Sequence, residues 1–143
     1  MTLQIHLQIV GCLLVLLGLS HAFMNRHFGW GKELAGISLL TRQIFYVHTF
    51  FIALGVILGG AVSLALPAEL LSPAPLNRAI LAGMAFFWLC RLLTQFFVYD
   101  GALWRGNPAR TGIHIAFSLL WSYVTVTYSL AFIKVWFASS VHG

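Results

Sequence analysis

Residues 44–66 read IFYVHTFFIALGVILGGAVSLAL. No Asp, Glu, Lys or Arg interrupts these twenty-three positions, and about 20 apolar residues in a helix span the hydrocarbon core of a bilayer. Such a helix closes its backbone hydrogen bonds within itself, as lipid requires. Three further stretches carry the same pattern, at about 5–24, 79–98 and 113–137. The expected fold is an all-α integral membrane protein: an up-and-down bundle of four transmembrane helices, a single transmembrane domain over residues 1–143.

Composition points the same way. Hydrophobic residues make up 60% of the chain, aromatic residues 15% and charged residues only 8%, against roughly 25% charged in soluble domains. Mean hydropathy is +0.92. The breaks between the apolar runs are NRHFGWGKE at 25–33, PAELLSPAPLN at 67–77 and DGALWRGNPARTG at 100–112. The second holds three of the four prolines, and Asn77 suits the N-cap of the third helix. Gly29 and Gly31 permit a turn, after which residues 32–40 are expected to form a short interfacial helix.

Lys and Arg in short loops stay on the cytoplasmic side. The first and third loops carry Arg26, Lys32, Arg42, Arg105 and Arg110, and the opposite side Arg78 and Lys134. Both termini are therefore expected on the non-cytoplasmic face of a bacterial inner (plasma) membrane. The formal net charge of +5 reads as this bias plus attraction to anionic headgroups, not as nucleic-acid binding. Trp30, Trp104 and Trp136 have the placement of interfacial anchors. IVGC at 9–12 and SHA at 20–22 read as parts of the first span, because no basic segment precedes them. Cys12 and Cys90 form no CxxC pair and are expected to be buried structural thiols.

An ionisable side chain within a span is costly, so it normally faces protein and has a partner. His21, His48, Asp100 and His114 fall at the cytoplasmic ends of the four spans, one on each, and make a candidate ligand set for Zn or non-haem Fe. His48 with His114 is the candidate axial pair for haem b. Tyr46 and Tyr99 lie at the same level and suit proton or hydrogen-bond donation. VHTFF at 47–51 and IHIAF at 113–117 echo each other, which suggests related halves. On the fourth span His114, Ser118, Trp121, Thr125 and Tyr128 form one stripe at helical spacing. On the second, His48, Ile52, Gly55, Gly59 and Val62 are expected to face inward, with Gly55 and Gly59 as a close-approach face. Arg91 lies roughly 12 Å before the end of its span, with Gln95 one turn further on. It is expected either to pair internally or snorkel, or to capture a phosphate or carboxylate.

These residues define the expected function: a polar His/Asp pocket floored by Arg91 and Gln95 that binds or acts on a quinone- or lipid-like molecule entering from the bilayer. The alternatives are a non-catalytic subunit or scaffold, packing on a membrane-protein partner or a second copy, and a bis-His haem b protein. Four histidines on the relevant side are too few for a membrane di-iron hydroxylase. Glu33, Glu69 and Asp100, the three carboxylate side chains, argue against a Mg²⁺-dependent phosphotransferase. No HExxH pair, phosphate-binding glycine loop, nucleophile elbow or zinc knuckle is present.

Overall fold

A computed structural model of the chain describes residues 2–140, with side chains at 25, 28, 139 and 140 outside the description. The elements are α1 (Leu3–Phe28), α2 (Trp30–Glu33), a 3-10 turn (Leu34–Gly36), α3 (Leu39–Ala65), α4 (Pro67–Leu70), α5 (Pro75–Phe97), a second 3-10 turn (Gly101–Leu103) and α6 (Pro108–Ser140). No strand occurs among the described residues. Four helices are long and apolar enough to cross a membrane, over Leu3–Met24, Leu39–Ala65, Pro75–Phe97 and Pro108–Ala138.

The helices outrun the apolar stretches because local capping sets their ends and hydrophobicity does not. Gly29, at φ 66°, adopts the left-handed conformation that stops α1. Ser38 caps α3: its Oγ accepts from Thr41 N at 3.2 Å, and the helix begins at Leu39, ahead of the apolar run that opens at Ile44, so Arg42 and Gln43 sit inside the helix. The interfacial helix expected over 32–40 is cut down to α2 and the 3-10 turn, since Leu39 already belongs to α3. Asn77 does not cap α5. Ala74 is the N-cap, without a side-chain bond, and Pro75 occupies the first turn, where its fixed φ suits a helix start. Asn77 Nδ2 instead donates to Glu69 O and Ser72 Oγ, both at 2.7 Å, tying the loop to the helix.

The chain divides into two compact units, one of Ile5–Pro67, the other of the segment from Ala68 onward together with the residues before Ile5. In the first unit α1 and α3 pack antiparallel. A Cβ on Gly11 would stand 2.6 Å from Gly60 O and 2.6 Å from Leu64 N, and one on Gly18 would stand 3.0 Å from Ala53 O. Rising numbers on α1 thus meet falling numbers on α3. Backbones approach this closely only where small residues meet.

The face of α3 used here differs from the expected one. Val56, Gly60 and Ser63 are its buried residues, whereas His48, Ile52, Gly55 and Val62 are exposed, and nothing lies within 4 Å of a Cβ built on Gly55. Gly59 and Gly60 are adjacent, so choosing one over the other turns the helix by about 100°. Gly11 and Gly18 on α1 made that choice. Cys12 and Cys90 are likewise exposed rather than buried, each one residue off the inner face of its helix or further.

In the second unit α5 and α6 form the other hairpin. Leu81, Trp88 and Gln95 are the buried residues of α5, spaced by seven as in helices that pack at a shallow angle. On α6, Trp121, Val124, Thr125 and Tyr128 are buried, and Trp88 stacks on Trp121. The expected α6 stripe therefore does face protein, with His114 and Ser118 half-buried at its start.

Candidate functional site

The α5–α6 hairpin assembles a polar group from residues on both helices. Arg91 Nη1 donates to Gln95 Oε1 at 3.2 Å. A guanidinium can only donate, so Gln95 must turn its oxygen to Arg91 and its NH₂ elsewhere. That NH₂ meets α6, with Gln95 Nε2 2.8 Å from His114 Nδ1. An amide nitrogen also only donates, so Nδ1 keeps its lone pair and the proton of neutral His114 sits on Nε2. Arg91, Gln95 and His114 thus form a chain in which every hydrogen bond runs one way and the last ring presents an N–H.

The α5–α6 connection holds that ring. Trp104 stacks on His114 with centroids 3.9 Å apart and planes 13° from parallel, and Phe96 meets it edge-on at 6.2 Å. Thr111 Oγ1 donates to the carbonyl of Trp104 at 2.9 Å, and Asn107 Oδ1 accepts from Arg110 N at 3.1 Å, capping α6. Gly106, at φ 79°, supplies the left-handed turn between them. Trp104 therefore covers His114, a role that its expected placement as an anchor did not reveal.

On its other side Arg91 lies 4.6 Å from the Trp121 ring centroid and 5.7 Å from that of Tyr99, within the range of cation–π attraction. Trp121 stacks on Trp88 at 5.3 Å. Among the described residues the indole nitrogens of Trp88 and Trp121 and the hydroxyl of Thr125 are buried without a hydrogen-bond partner. Asp100 is not paired with Arg91. The helix ends at Phe97, and Asp100 Oδ1 accepts from Ala102 N at 2.8 Å, capping the following 3-10 turn.

In the other unit, a pocket of about 340 Å³ opens between α1 and α3, lined by His21, Trp30, Tyr46 and Thr49 with apolar residues beneath. Tyr46 and His21 thereby line the same pocket. His48 does not line the pocket. His21 Nδ1 donates to Leu17 O and His48 Nδ1 to Ile44 O, each at 2.8 Å. A carbonyl only accepts, so both rings carry the proton on Nδ1 and leave an Nε2 lone pair outward, the arrangement in which histidine coordinates a metal. His114 has the opposite tautomer, and coordination through it would require losing the Gln95 bond or the Nε2 proton. The resemblance of VHTFF to IHIAF does not extend to the surroundings of the two histidines.

Of the four candidate ligands, His21 and His48 belong to one unit, Asp100 and His114 to the other. Among the described residues no group of three or more His, Cys, Asp or Glu stands in a position to hold a metal ion. No family model, curated protein or solved structure matches this chain. Its side chains alone carry the functional reading.

Sequence spacing exposes Arg91–Gln95, since residues four apart share a helix face. It does not expose the bond from Gln95 to His114 or the cover by Trp104, which cross between elements. Trp88 was missed by the sequence reading, although one signal could have found it: Leu81, Trp88 and Gln95, the buried residues of α5, recur every seven residues.

Proposed function

We propose that the protein is an integral membrane binding protein for a small quinone- or lipid-like molecule, whose polar head is received in the α5–α6 hairpin. Its four spans alternate in direction, with both termini on the non-cytoplasmic side of a bacterial inner membrane. The observation that carries this reading is the one-way chain from Arg91 through Gln95 to His114. A chain of donors ending in an N–H, inside an otherwise apolar hairpin, is suited to a ligand oxygen that accepts. The apolar helix surfaces around it suit the tail of such a molecule.

Titration of the detergent-purified chain with a short-chain quinone and with a short-chain phospholipid, followed by tryptophan fluorescence, tests it. Saturable quenching is expected, and Gln95→Leu or His114→Ala should weaken it about tenfold or more, the usual effect of removing a hydrogen bond to a bound polar group. Unaltered binding in both variants, with helix content retained, would overturn the reading.

A second reading, a non-catalytic subunit of a larger assembly, is supported by the exposed α3 face. His48 is exposed there with an unused Nε2, and Gly55 has open space above it. An ionisable ring on the outside of a span normally meets protein or an interface. Gly55→Leu would block such a contact, and a fall in oligomer mass on light scattering would favour it; an unchanged mass would remove it.

A further inference from the structure

We infer that the ligand of the α5–α6 hairpin is an anion, a carboxylate or phosphate head bound in the fork of Arg91, which rests on the reading above and narrows it. Arginine stays protonated in proteins. Arg91 lies six residues before the end of α5, about 9 Å along the axis, within a candidate span. The partners it has are a neutral amide oxygen and two aromatic faces. Among the described residues it forms no ion pair, and Asp100, the nearest acid in sequence, is committed to its own cap.

A charge within a span is stable when countered, and no counter-charge stands against Arg91 among the described residues. Among the described residues a single Nη1 bond accounts for its hydrogen bonding to protein, which leaves most of the guanidinium donors for a ligand. Its surroundings add donors rather than acceptors. His114 offers Nε2–H, and the indole N–H groups of Trp88, one turn before Arg91 on α5, and of Trp121, whose ring centroid lies 4.6 Å from the guanidinium, have no partner among the described residues although these residues are 3% and 4% exposed. A quinone carbonyl would use one or two of these donors and leave the charge uncompensated. A carboxylate or phosphate takes the planar fork with two parallel bonds and neutralises it. Arg91 itself is half-buried, so one side of it remains open to an entering head.

Calorimetric titration of the full chain in nonionic detergent separates the possibilities. The probes are oleate, methyl oleate, inorganic phosphate and a short-chain benzoquinone. Oleate is expected to bind at least tenfold tighter than its methyl ester, which has the same chain without the charge. Arg91→Lys should lower that preference, since an ammonium lacks the fork. Gln95→Glu is the decisive variant, because it gives Arg91 a carboxylate of its own at nearly the same shape: the preference for oleate should vanish while thermal stability is kept or raised. Inorganic phosphate binding as tightly as oleate would assign the same site to a free anion rather than a lipid head.

Equal affinity for oleate and its ester, unmoved by Gln95→Glu, overturns the anion and leaves a neutral amphipathic ligand standing. So does saturable binding of the benzoquinone alone. Binding of none of the four probes overturns both this inference and the function on which it rests.

Discussion

Arg91 dictates what Gln95 can do, and Gln95 dictates what His114 can do. Each step follows from a donor-only group, so the tautomers of the histidines are consequences of geometry that NMR can read. Nitrogen-15 spectra of the protein with labelled histidine, above the pH at which the rings are protonated, should show His21 and His48 with the proton on Nδ1 and His114 with it on Nε2. The variant Gln95→Leu should release His114 from that preference, and a spectrum in which His114 matches His21 would refute the proposed chain. The residue types were legible in the sequence: a basic residue in a span, an amide one turn later, a histidine in the next span. Their union was not, because Gln95 and His114 are nineteen positions apart and meet only through the packing of two helices. Asp100 illustrates the converse. Its position beside the other polar groups suggested a ligand, but Asp at the start of a turn satisfies the nearest free N–H first.

At the scale of the helix, small residues decide the pairing of α1 with α3. Gly60→Leu should prevent that pairing, since even a Cβ at this position would stand 2.8 Å from Gly11 O and 2.9 Å from Leu14 Cβ. The loss should exceed the about 1–3 kcal/mol of ordinary core overpacking, because backbone rather than flexible side chain stands in the way. Gly55→Leu, one turn and a little more away on the exposed face, should leave the unit intact. Thermal unfolding of both variants in detergent, followed by circular dichroism, checks the pair; equal losses would contradict the assignment of faces. Gly29 offers a separate test. Its left-handed φ of 66° makes Gly29→Ala unfavourable by about 1–2 kcal/mol, an effect on the α1–α2 turn that hydrogen exchange in that segment would register. The run of glycines in α3 could be read from the sequence, but its rotation could not.

For the whole molecule, four apolar helices give an integral membrane protein, and the distribution of Lys and Arg gives the proposed orientation. Single cysteines placed in the 25–33 and 100–112 loops of a cysteine-free variant should be protected from an impermeant maleimide in intact cells, while one in the 67–77 loop should react; the reverse pattern would invert the orientation. Cys12 and Cys90, exposed on helices that are candidates to meet lipid, should react with a membrane-permeant thiol reagent and not with the impermeant one.

The number and composition of the apolar helices could be read from the sequence alone, because the free energy of placing a helix in lipid is summed along the chain and needs no neighbour, whereas their exact ends followed local caps such as Ser38 and Gly29. Which face α3 turns inward, and which polar groups meet across the α5–α6 hairpin, only tertiary packing decided. Each step along a helix rotates a side chain by about 100°, so a partner such as Gly11 selects between adjacent glycines, Gly59 and Gly60, that the sequence leaves nearly equivalent.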